Sequence, residues 1–84
     1  MLYTINSPKL RFDTVPEQLS TISDLLKNNK VLEINLKNVT DIDSAAIAML
    51  IELKNIANTN GTQISFVNSS QDVLRLCKLY CINL

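Results

Sequence analysis

Val39-Thr40-Asp41-Ile42-Asp43-Ser44-Ala45-Ala46-Ile47-Ala48-Met49-Leu50 is the stretch on which the reading of this chain turns, because a polar loop runs there directly into an unusually apolar helix. Asp43 is placed to cap that helix: a short carboxylate just before the first turn accepts from amides that have no intrahelical partner. Ser44 then stands in the first turn, beside the remaining amides and the positive end of the helix dipole, where a hydroxyl or a phosphate is well accommodated. The small residues Ala45, Ala46 and Ala48 let a helix approach a sheet closely, or leave a smooth patch for a partner. On helix-end chemistry alone the Asp43-Ser44 pair reads as a cap before it reads as a site.

Upstream of this junction, residues 31–36 alternate, with Leu32, Ile34 and Leu36 on one face and Glu33 and Asn35 on the other, which predicts a strand covered on one side only. Residues 37–42 read as a loop, and the helix runs over residues 43–58 to Gly61, which supplies the left-handed conformation needed just past its end. Before these, Tyr3 with Ile5 and Leu10 with Phe12 alternate against polar neighbours in two short strands separated by a turn at Asn6-Ser7-Pro8. Thr14 and Glu17 are spaced as a capping box with Pro16 in the first turn, and Leu19, Ile22, Leu25 and Leu26 form one apolar stripe on the helix that follows. Ile64 and Phe66 mark a further strand. Ser69 or Ser70 then caps a last helix with Val73, Leu76, Cys77 and Tyr80 along its buried stripe.

The predicted order is strand, strand, helix, strand, helix, strand, helix: an α/β fold with a mixed sheet of about four strands and the helices packed on one face. Eighty-four residues supply one hydrophobic core, hence a single domain over residues 1–84. With 46% hydrophobic and 19% charged residues, the chain has the composition of a folded protein. Its eight basic and eight acidic residues cancel, so no positive field gathers nucleic-acid phosphates. The longest apolar run, residues 45–51, is far short of the roughly 20 residues needed to span a bilayer. The expectation is a cytoplasmic protein that neither binds nucleic acid nor inserts in a membrane.

Reactive chemistry is poorly provided for. The sequence has no histidine, so nothing is available to activate Ser44 as a nucleophile by the usual route. It has one glycine, too few for a phosphate-cradling loop. Cys77 and Cys81 share a helix face at a spacing unsuited to a disulfide and too sparse for a metal site, and read as reduced, half-buried thiols. The expectation is a non-enzyme without cofactor or metal.

The strand at residues 31–36, the Asp-Ser junction, the apolar helix to Ala57, Gly61 and the ending Leu76-Cys77-Lys78-Leu79-Tyr80 together resemble a STAS domain, over nearly the whole chain and most strongly over residues 41–80. STAS domains include anti-sigma factor antagonists and MlaB-like subunits, and the short length and Lys78-Leu79-Tyr80 ending make the chain most similar to the latter. The resemblance implies a non-catalytic subunit, peripheral to the inner membrane. It would bind and stabilise or activate the ATPase, MlaF-like, of a phospholipid-transporting ABC complex that maintains outer-membrane lipid asymmetry, and through it meet the permease. It implies a partner surface made by Thr40, Asp41, Asp43, Ser44, Ala45, Ala46 and Ile47. In the anti-sigma branch it implies instead that a kinase phosphorylates Ser44. Family members usually carry one or two glycines after the Asp-Ser/Thr pair, where this chain has Ala45 and Ala46.

Overall fold

The computed structural model describes residues 1–80. Among them the elements are β1 (Leu2–Thr4), β2 (Lys9–Leu10), α1 (Val15–Asn28), β3 (Val31–Asn35), β4 (Asp41–Ile42), α2 (Ser44–Asn60), β5 (Gln63–Val67) and α3 (Gln71–Leu79). This is the expected α/β class with its helices to one side of the strands. The sheet itself divides into a three-stranded ladder ordered β1-β3-β5 and a separate pair, β2 with β4.

The described pairings are all parallel, whereas a mixed sheet was expected. The reason lies in α1. Both β1 and β2 precede it and both β3 and β4 follow it, so one helix serves as the crossover for two parallel pairs. Residues 6–8 carry the chain from the first ladder to the second rather than folding β1 and β2 into a hairpin.

Strand register sorts the faces. Leu2 stands beside Glu33 and Glu33 beside Ser65 on the uncovered side, while Tyr3, Ile34 and Phe66 line up on the helix side. Leu32 and Ile34 are fully buried there, together with Leu10 of β2 and Ile22 and Leu26 of α1. The central helix, α2, explains its own apolar sequence: Ala46, Ile47, Met49, Leu50, Leu53 and Ala57 are all buried, because it packs on α1 as well as on the strands. It ends as expected, at Gly61 with φ 72°, whose N–H donates to the carbonyl of Asn58, while Thr62 N–H reaches Ala57.

Three expectations shift. Phe12 lies beyond β2 and is 73% exposed instead of facing the core. Tyr80 closes α3 and is half exposed, so the buried stripe of that helix is Val73 and Cys77 with Leu76 partly covered. Thr14 does not cap α1 with its side chain; its hydroxyl oxygen accepts instead from the Arg11 N–H at 2.9 Å. Cys77 is a free, buried thiol, and Cys81 lies outside the described residues.

Candidate functional site

Parallel strands joined by helical crossovers send every helix back from the carboxyl ends of the strands, so α1, α2 and α3 all begin at the same end of the molecule. The short β2–β4 ladder sharpens this. β2 leads into α1 and β4 leads into α2, and pairing Lys9 with Asp41 and Leu10 with Ile42 sets the two helix starts side by side. Strand β4 was read as loop, since two residues carry no periodicity. The backbone of Pro8 holds the ladder in register: its carbonyl accepts from the N–H groups of Thr40 and Asp41 at 2.9 and 3.0 Å, and from the Thr40 hydroxyl at 3.3 Å.

Asp41 and Asp43 lie two residues apart in extended backbone and so project to one side. Arg11, one step past the ladder, meets both. Its Nη1 donates to the two Asp41 carboxylate oxygens at 3.2 and 3.1 Å, and its Nε is 4.0 Å from Asp43 Oδ2. The guanidinium and Asp41 are both close to half exposed, so the pair contributes at most about 1 kcal/mol and matters chiefly for position.

Asp43 is the residue on which the site is built. Its Oδ1 accepts from the N–H groups of Ala45 at 2.9 Å and Ala46 at 3.2 Å, which is the expected helix cap. Its Oδ2 accepts from the Phe12 N–H at 2.9 Å, fixing the β2–α1 turn to the start of α2. Burial alone would push this carboxyl up, but the amides of Phe12, Ala46 and Ala45 and the nearby Arg11 charge outweigh it and hold it below the ordinary carboxylate range.

Ser44 follows in the first turn of α2 and is exposed, and its hydroxyl makes no side-chain hydrogen bond among the described residues. Thr40 is exposed and Ala45 half-buried beside it. Ala46 and Ile47 are core residues, 0% and 2% exposed, so Ala46 enters the site through its amide alone. Of Ala45 and Ala46, only Ala45 presents a methyl group to the surface.

Sequence reasoning missed Arg11 and Phe12. They are about 30 positions from the carboxylates they meet, and only the β2–β4 pairing brings them there. Among the described residues, no three potential metal ligands come together. A cleft of about 320 Å³, lined by residues 26–30 and 60–62, lies at the other end of the molecule, where α1 and α2 finish.

The comparisons with known proteins bear on this arrangement. A chain solved as "Crystal Structure Analysis of Mglu" is similar in fold, with TM-score 0.71 and 17% identity over 83% of this chain. The match spans only 17% of that chain's length. No curated protein matches the sequence. The model of the STAS domain family matches residues 1–83, and the chain that places Asp43 and Ser44 at the head of its central helix therefore belongs to the STAS domain family.

Proposed function

We propose that this chain is a non-catalytic STAS subunit, cytoplasmic and peripheral to the inner membrane. In this reading it binds and stabilises the ATPase of a phospholipid-transporting, Mla-type ABC complex and reaches the permease only through that ATPase. The observation that carries the reading is the state of Ser44: exposed, without a side-chain partner, and set in the first turn of a helix whose cap is already filled by Asp43. A hydroxyl that the fold does not use is free to bond a partner. Asp43 and Ala45 flank it in sequence, Arg11 reaches both Asp41 and Asp43, and no helix among the described residues is long and apolar enough to cross a membrane. Activation here means that binding favours one state of the ATPase, a shift of population and not a chemical step.

The same exposure supports a second reading, an anti-sigma factor antagonist whose Ser44 is phosphorylated by the kinase it binds. A phosphoryl group adds a charge of about −1.5 to −2 beside Asp41 and Asp43, and repulsion there opposes the acidic cluster's existing contacts.

One experiment separates them. The purified chain is mixed with the Mla-type ATPase subunit and, in parallel, with an anti-sigma kinase and ATP. The transporter reading expects a complex with the ATPase that Ser44→Glu weakens by tenfold or more, about 1.4 kcal/mol, and no phosphate on Ser44. Stoichiometric phosphorylation of Ser44 by the kinase, with no ATPase complex, would establish the second reading in its place.

A further inference from the structure

Asp43 spends one oxygen on α2 and the other on the turn that begins α1, and that turn carries Phe12, a residue 73% exposed. Leu79, 76% exposed at the end of α3, has no such tie to Asp43. The turn holding Phe12 is closed several times over. The Thr14 and Val15 N–H groups donate to the Arg11 carbonyl, Arg11 N–H donates to Thr14 Oγ1, and the Arg11 side chain clamps Asp41. An aromatic ring held outward on a pinned turn loses little conformational freedom when it is buried by another molecule, which is what favours aromatic residues as anchors at interfaces.

We infer that the Phe12 turn and the Ser44 end of α2 form one composite docking surface, with Phe12 as its apolar anchor and Asp43 as the residue that fixes the two halves to each other. The occupant is a protein surface with an apolar pocket rimmed by basic side chains. The pocket takes the ring. The basic rim answers the charge around it, since residues 9–17 and 41–43 carry Lys9 and Arg11 against Asp13, Glu17, Asp41 and Asp43. This deepens and rests on the reading of the chain as a partner of an Mla-type ATPase, which supplies the occupant.

Two measurements test it. In the isolated protein, Asp43→Asn keeps an oxygen for the Ala45 and Ala46 amides but turns an NH2 group toward the Phe12 N–H. Hydrogen exchange at Phe12 should then accelerate at least tenfold while Ala45 and Ala46 stay protected. Unchanged exchange at Phe12 overturns the coupling. In binding to the purified ATPase subunit, Phe12→Ala should weaken affinity about 30-fold, with thermal stability unchanged because the ring is outside the core, and Leu79→Ala should have no effect. Equal affinity of Phe12→Ala and the unaltered chain overturns the anchor while leaving the transporter reading standing. Failure of the unaltered chain to bind the ATPase overturns that reading and the anchor with it.

Discussion

At the scale of the residue, Asp43 shows how one side chain joins the starts of two helices. Its carboxylate is held in the charged form by three backbone amides and by Arg11. A carboxyl whose folded pKa lies below that of the unfolded chain stabilises the fold above the unfolded value of about 3.9. That stabilisation is lost as the pH falls through the lowered folded value. Acidification should therefore loosen the Phe12 turn and the first turn of α2 together, at a pH below that at which an unstructured aspartate titrates. A carbon-detected NMR titration of the Asp43 carboxyl checks this, and a midpoint at or above the unstructured value contradicts the role assigned to the four donors. The cap was legible in the sequence, because Asp before Ser-Ala-Ala is a local pattern. The second bond, to Phe12, was not, because it depends on a contact across 31 positions that no local periodicity encodes.

At the scale of the element, helix ends that were read from local chemistry divide according to whether a tertiary contact competes. Ser70 Oγ accepts from the Val73 N–H at 3.2 Å, as a capping serine should. Ser70→Ala is expected to cost about 1 kcal/mol, or about 4–8 °C in melting temperature for a domain of this size. Gly61 sits at φ 72°, and an added methyl group would meet nothing within 4 Å. The cost of Gly61→Ala is then purely that of the left-handed backbone, again about 1–2 kcal/mol, and urea denaturation should place both variants below the parent. A Gly61→Ala protein as stable as the parent would mean that the chain relaxes out of that conformation. Thr14 had the right spacing to Glu17 for a capping box, yet it sits in helical backbone and its oxygen turns back to Arg11. The β2–α1 turn took that residue from the helix. Phe12 left the core for the same reason: β2 ends at Leu10, so the alternation that would have carried Phe12 inward stops two residues early.

At the scale of the whole molecule, class and layering followed from patterns that are local and repeated, while strand direction did not. The alternation of Leu32 and Ile34 and the stripes of α1 and α3 specify a one-sided sheet under helices, but two short strands in succession are equally compatible with a hairpin and with two parallel pairs. What decides is that α1 can serve both pairs, and this allows β4, too short for any sequence signal, to bring Arg11 to Asp41. The resulting core is one continuous cluster from Ile5 to Cys77, so its members should unfold together. Cys77 reports on that unity. Its thiol is buried and pushed up by that burial, against a smaller opposing pull from Lys54, so little thiolate is present near pH 8 and reagents cannot reach it in the folded state. Alkylation of Cys77, located by peptide mass spectrometry, should be negligible in the native protein and should rise along the same urea curve as the loss of helical circular dichroism. Leu53→Ala removes a fully buried side chain of α2 at a cost of about 2–5 kcal/mol, a large part of what an 84-residue domain has at about 0.05–0.15 kcal/mol per residue. It should move both curves to lower urea by the same amount. Labelling of Cys77 well before the helical signal falls would show instead that α3 opens on its own, leaving the Ser44 end of α2 folded.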